Sequence, residues 1–131
     1  MNKILLILCL FFLNCSAYAW PNKELFTVVK GENVCVYTQD KNTSPEDKRI
    51  YLYMGEIHPN QAYKTSYSKL YTDKTPPIEK KDCIKINQSN FKYNIPYEII
   101  LDMERVYSTR ICVNKNANAI YLTQVTDGFN C

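Results

Sequence analysis

The sequence predicts a mostly β chain, an antiparallel β-sandwich of about seven strands held by disulfides. Three observations carry that expectation. Short runs rich in Val, Ile, Tyr and Thr recur along the chain with Gly, Pro, Asn or Asp between them, the composition of strands punctuated by turns. The segment Arg49 to Ile57 alternates, with Ile50, Leu52 and Met54 on one side and Tyr51 and Tyr53 on the other, as a strand with one buried face does. Two of the six cysteines lie within an N-terminal export signal, which leaves Cys35, Cys83, Cys112 and Cys131 to pair in an oxidising compartment.

The signal comes first. Lys3 supplies one positive charge, Ile4 to Leu13 is continuously apolar, and Ala17-Tyr18-Ala19 offers the small-x-small pattern cut by signal peptidase. The apolar run falls short of the roughly 20 residues that cross a bilayer. Residues 1–19 are therefore read as a cleaved signal and 20–131 as one domain, periplasmic or secreted, with no transmembrane segment in the mature chain. A lipid anchor at Cys15 fits poorly, because Leu13 and Asn14 precede it where a lipidation signal has a small residue.

Along the mature part, Glu24 to Lys30 and Asn33 to Gln39 read as strands joined at Gly31-Glu32. Asp40 to Asp47, with Asn42, Ser44 and Pro45, reads as a loop. Arg49 to Ile57 is the clearest strand and stops at His58-Pro59-Asn60; Ala62 to Thr72 is a weaker edge strand with a loop. Thr75-Pro76-Pro77 breaks the chain before the short strand Cys83 to Ile86. From Tyr97 to Tyr107 two patterns compete. Period two sets Tyr97, Ile99, Leu101 and Met103 against Glu98, Asp102 and Glu104, whereas a helical stripe gathers Ile99, Ile100, Met103, Val106 and Tyr107. The strand is preferred because its neighbours are β-like. Arg110 to Val113 and Ala119 to Val125 complete the set as a hairpin across residues 114–118. The whole resembles an immunoglobulin or fibronectin type sandwich.

Four cysteines permit three connectivities. The preferred one joins Cys35 to Cys83 and Cys112 to Cys131, the second bridge pinning a terminus that would otherwise fray. Metal or thiol redox chemistry is not expected, since no C-x-x-C or close His pair exists.

Charge and motifs exclude several function classes. Losing Lys3 lowers the formal charge by one from +3, and the adjacent Lys80 and Lys81 are flanked by Glu79 and Asp82, so the basic patch of a nucleic-acid binder is missing. Only three glycines occur and no phosphate-cradling loop, so no cofactor is expected. His58 is the only histidine and is expected on an exposed turn that would not orient a base. Glu98, Asp102 and Glu104 are read as a solvated strand face rather than a glycosidase acid pair. Asn42-Thr43-Ser44 and Asn87-Gln88-Ser89 match the N-glycosylation pattern.

Eleven tyrosines stand out, and Tyr51, Tyr53, Tyr63, Tyr67 and Tyr71 fall close together. Tyrosine brings a large rigid ring and a hydroxyl to an interface at low entropic cost, so these five are the expected protein-binding residues. Asn33-Val34-Cys35-Val36, Gly55-Glu56-Ile57-His58-Pro59, Asp82-Cys83-Ile84 and Pro96-Tyr97-Glu98-Ile99, behind a signal, resemble the small exported type VI secretion immunity periplasmic lipoproteins. That resemblance implies a compact β-sandwich that protects the producing cell by binding a toxin delivered into the periplasm. The chain departs from the pattern in lacking a convincing lipidation site and in continuing past the usual end into a hairpin with its own cysteine pair. The expected function is thus a non-enzymatic binding protein, an immunity-type inhibitor with a toxin or envelope protein as partner. The alternatives are a structural or adhesive subunit of a surface assembly, and a small secreted hydrolase using Glu98 and Asp102.

Overall fold

The computed structural model describes residues 22–43 and 48–131. The expected signal at 1–19 and residues 44–47 of the first long loop lie outside the described residues. Nine strands follow in order: β1 Lys23–Glu24, β2 Phe26–Lys30, β3 Asn33–Tyr37, β4 Arg49–Glu56, β5 Tyr67–Thr72, β6 Ile84–Asn87, β7 Pro96–Asp102, β8 Val106–Asn116 and β9 Ala119–Gln124. They form a large sheet of order β1-β8-β7-β4-β5, with β9 also paired to β8, and a small sheet of order β2-β3-β6.

Every pairing is antiparallel except β1 with β8, which runs parallel. The large sheet is therefore mixed. The chain first lies along β8 through Lys23 and Glu24, then crosses to the small sheet at Leu25, which is buried and whose N–H donates to the Ser108 carbonyl at 3.0 Å. Without β1 and β9, the remaining order is that of the immunoglobulin frame: β2, β3 and β6 take the places of strands A, B and E, and β5, β4, β7 and β8 those of C′, C, F and G. A second mark of that frame is Tyr97 at the start of β7. Its hydroxyl accepts the Lys92 N–H at 2.9 Å, five residues upstream, which is the tyrosine-corner arrangement of such domains. The ring is buried edge-on against Phe91, with centroids 5.1 Å apart. Ile99 stands two residues further on, where an antibody domain places its inter-sheet cysteine, and it is fully buried.

Alternation fills the core. Ile50, Leu52 and Met54 of β4 meet Ile99 and Leu101 of β7, Tyr107, Ile111 and Val113 of β8, and Val34, Val36, Ile84 and Ile86 from the small sheet. Each buried Leu, Ile or Val contributes about 1.5–3 kcal/mol over its exposed state, which sets the register of every strand that carries one.

The strand expected over Glu24 to Lys30 is split at Leu25 into β1 and β2, and two further boundaries differ from expectation. The run from Tyr97 to Tyr107 is strand, but it is cut at Met103–Arg105, where Met103 N–H donates to the Arg105 carbonyl at 3.0 Å and the chain reverses from β7 into β8. The final hairpin turns at Ala117-Asn118 alone, with Asn116 facing Ala119, so β8 is longer than the run from Arg110 to Val113 suggested. The Gly31-Glu32 turn is tight as expected, with Lys30 facing Asn33 and Gly31 at a φ of 60°. Positive φ at the first central residue is the type II′ signature that suits glycine.

Both disulfides follow the preferred pairing. Cys35 joins Cys83 with Cα atoms 5.4 Å apart, and Cys112 joins Cys131 at 5.7 Å. Cys35 alternates with Val34 and Val36 and so lies on the side of β3 away from the core, where its bridge ties β3 to the chain entering β6. The second bridge folds the last residues onto the outer side of β8, and Arg110 donates to the Gly128 carbonyl at 3.2 Å to hold them.

Candidate protein-binding face

The outer side of the large sheet carries the residues that alternation turns away from the core. On β4 these are Tyr51, Tyr53 and Gly55; facing them on β7 are Asp102, Ile100 and Glu98, and on β5 Tyr51 faces Leu70 while Tyr53 faces Ser68. Tyr51 and Tyr53 lean together, ring centroids 5.0 Å apart and tilted by 33°. Tyr63 extends the row. The loop before β5 lays the Lys64 carbonyl directly over Gly55, and the Tyr63 ring comes within 3.3 Å of where a side chain at Gly55 would begin. Only glycine admits that approach. Tyr51, Tyr63 and Leu70 are 41%, 38% and 55% exposed, so two open aromatic rings and a leucine share one face of the sheet with the half-buried Tyr53 and Ile100.

The five tyrosines singled out from the sequence thus divide. Tyr51, Tyr53 and Tyr63 share the outer face. Tyr67 and Tyr71 face Met54 and Ile50 and pack against the core from the β5 margin, because their register on β5 points them inward. Lys69 and Lys74 place their ammonium groups over the Tyr71 ring at 5.0 and 5.1 Å, which covers it further. Leu70, an alternate position between them, is the missing member of the face. The signal for it was the same period-two pattern, read one strand further.

Electrostatics on the face are acidic at the centre. Partial burial raises the Tyr53 hydroxyl above its ordinary pKa, reinforced by the charges of Asp102 and Glu98 and by Tyr51. Tyr63 is raised by burial too, against a Thr65 hydrogen bond that lowers it, with Glu98 adding to the rise. Glu98 is partnered by Arg110 at 3.8 Å. Four residues apart along one strand, Glu98 and Asp102 sit about 13 Å from each other at the backbone, wider than the roughly 5–9.5 Å of paired glycosidase acids.

His58 departs from its expected unoriented turn. Its Nε2 lies 2.9 Å from Glu56 Oε2, and Glu56 also binds Lys92 at 2.9 Å and receives the Tyr97 hydroxyl at 3.5 Å. These contacts hold the carboxyl of Glu56 below its ordinary pKa, the His58 hydrogen bond first and the Lys92 one next. The histidine therefore has an orienting carboxylate, which serves to fasten the end of β4 to the tyrosine corner.

A second polar cluster lies at the end of the sandwich where the β3–β4 loop meets the β7–β8 turn. Asp40 Oδ2 accepts the Tyr107 hydroxyl at 2.7 Å and Lys23 at 3.0 Å, and its Oδ1 accepts the Asn42 N–H at 3.1 Å. The Tyr107 hydroxyl also bonds Thr43 Oγ1. Tyr107 first, then Lys23, hold the Asp40 carboxyl far below the usual carboxylate range. Burial, with Asp40 adding to it, pushes Tyr107 up to about 12. Beside the cluster is a depression of about 340 Å³ lined by Lys23, Phe26, Thr38, Gln39, Asp40 and Tyr107. Of the glycosylation-like triplets, Thr43 is buried in this cluster, and Asn87 is exposed but accepts the Ser89 N–H at 2.9 Å. Among the described residues no three His, Cys, Asp or Glu side chains gather around a metal-sized space, and no helix is long and apolar enough to cross a membrane.

No family model, curated protein or solved structure matches the chain.

Proposed function

We propose that this chain is exported, oxidised, and works without catalysis as a periplasmic or secreted binding protein, an immunity-type inhibitor that occupies the surface of a delivered toxin. The observation that carries the reading is the outer face of β4 and β7, where Tyr51, Tyr63 and Leu70 stay open to solvent beside the half-buried Tyr53. Exposed contiguous aromatic surface is the composition of interaction sites, and tyrosine dominates their energetic centres. Two disulfides fit an oxidising compartment. A pre-organised sheet gives up little entropy on binding.

The alternative of a self-assembling subunit draws less support. β5 is the free edge on that side, with Lys69 on it and Lys74 just beyond its end, the usual means by which an edge strand is kept from pairing with another chain. Size-exclusion chromatography of the mature protein separates the two: a monomer fits the binding reading, and concentration-dependent oligomers fit assembly.

The test of the binding reading is site-specific photo-crosslinking in producing cells challenged by a toxin-delivering competitor. A benzophenone side chain at Leu70 should give one discrete protein adduct, and Tyr51→Ala with Tyr53→Ala should abolish it while leaving the melting temperature close to wild type. Turnover of a substrate by purified protein, with no adduct, would remove the reading.

A further inference from the structure

The large-sheet face does more than offer aromatic area. Tyr51, Tyr53 and Tyr63 form a row of three phenol rings, the first two 5.0 Å apart and the third laid over Gly55. The row runs beside two carboxylates, since Asp102 is directly across from Tyr51 and Glu98 directly across from Gly55. Residues opposed in this way have Cβ atoms about 4.5–5.5 Å apart. The quadrupole of an aromatic ring and a neighbouring carboxylate both favour a cation, and together they favour it over any neutral group of the same shape.

The lysines that stack on aromatic rings stack away from this row. Lys69 and Lys74 lie over Tyr71, and Lys115 lies over Tyr93; among the described residues none lies over Tyr51, Tyr53 or Tyr63. Two arginines flank the row on the same face. Arg110 is taken up by Glu98 and the Gly128 carbonyl, and Arg49 is likewise partnered. Asp102 has no cation within ion-pair distance among the described residues. A half-buried carboxylate beside partly open phenol rings is therefore the unmatched charge of the face.

We infer that the partner bound by this face presents a lysine or arginine side chain that lies across Tyr51 and Tyr53 with its charge against Asp102. The inference rests on the binding reading above and names the chemistry of what the face takes. A flat sheet suits a side chain lying along the rings, with its apolar stem on Ile100 and Leu70 and its charged head at the carboxylate.

The probe is a set of short acetylated peptides, Gly-Arg-Gly-Arg-Gly, the same peptide with citrulline for arginine, and the same with glutamate. Each is titrated into the isotope-labelled mature protein while the aromatic resonances of its tyrosines are followed. The arginine peptide should shift Tyr51 and Tyr53 saturably, and should bind about three- to tenfold tighter than the citrulline peptide, the scale of an exposed cation–π contact joined to a charge pair. Asp102→Asn should erase most of that preference without changing the melting temperature, and Tyr53→Phe, which keeps the ring, should retain it. Equal binding of arginine and citrulline peptides, or shifts centred on Tyr93 or Tyr121 instead, would overturn the inference. If the Leu70 crosslink captures a partner whose contacting segment lacks Lys and Arg, this inference falls and the binding reading stands. Arginine selectivity without any crosslink in challenged cells would leave the cation preference in place and overturn the immunity reading.

Discussion

Replacing each cystine by a pair of alanines should separate the two bridges by stability. The Cys35–Cys83 bridge spans 48 residues and the Cys112–Cys131 bridge 19. Treating a bridge as a restriction of the unfolded chain, whose effect grows with the logarithm of the loop it closes, gives about 4 kcal/mol for the first and about 3 kcal/mol for the second. Cys35 and Cys112 are both fully buried, so packing lost with the sulfurs adds to the effect of the loops, which alone set the shifts below. Urea unfolding of the oxidised mature protein, followed by tyrosine fluorescence, measures both. With a slope of about 2 kcal/mol/M, the midpoint should fall by about 2 M for Cys35→Ala/Cys83→Ala and by about 1.5 M for Cys112→Ala/Cys131→Ala. A larger loss at the terminal bridge, or no loss at either, would refute the reasoning, because it would mean that these bridges do not act through the unfolded chain.

Removing the Tyr97 hydroxyl with Tyr97→Phe should lower stability by about 1 kcal/mol, as expected for a part-buried N–H losing its acceptor, and chemical denaturation checks it. Gly55→Ala should lower stability by about 1–3 kcal/mol or more and disturb the Tyr63 loop, because a methyl group there collides with the Lys64 carbonyl; thermal melting and the Tyr63 resonance report it. Asp40 ionises more readily folded than unfolded, so its contribution is complete above the unfolded value of about 4 and is lost as pH falls through and below it. Asp40→Asn should therefore flatten the acid limb of a melting-temperature profile between about pH 5 and pH 2. Tyr107 has the opposite sign: its folded pKa is raised to about 12, so its contribution is whole below about pH 10 and fades as pH climbs toward 12. Tyr107→Phe should flatten that alkaline limb.

Where alternation was strict, the fold was legible in the sequence. Ile50, Leu52 and Met54 against Tyr51 and Tyr53 fixed both the strand and its two faces, and Ile99 and Leu101 against Glu98 and Asp102 did the same for β7. Ile100, which breaks the pattern, lies on the outer face because period two turns the even residues of β7 outward, where it stands across from Tyr53. The reversal at Met103–Arg105 was hidden, since no Gly or Pro marks it and the apolar spacing runs straight through. The parallel pairing of Lys23 and Glu24 with β8 was hidden for another reason: it is a contact between distant segments that two residues of local pattern cannot encode.

The candidate face was half legible. Clustering along the chain pointed to Tyr51 and Tyr53, but it ignored the period-two pattern of β5 that sets Tyr67 and Tyr71 on the opposite side from Leu70, and Tyr63 is placed by the loop before β5. Tyr67 and Tyr71 went to the core margin, and Leu70 took the exposed place that sequence proximity had assigned to them. The tyrosine corner was readable in principle from Tyr97 and Ile99 once the strand order is known. The Glu56–His58 contact could have been found from the i, i+2 spacing at the end of an alternating strand.

The outer face of β4 and β7 is proposed as the surface through which this protein binds its partner. Photo-crosslinking from Leu70 compared with crosslinking from Lys85, an exposed residue on the small sheet, tests it most directly. The account predicts one discrete protein adduct from Leu70 and none from Lys85. Adducts of equal yield from both positions, or from Lys85 alone, would contradict it.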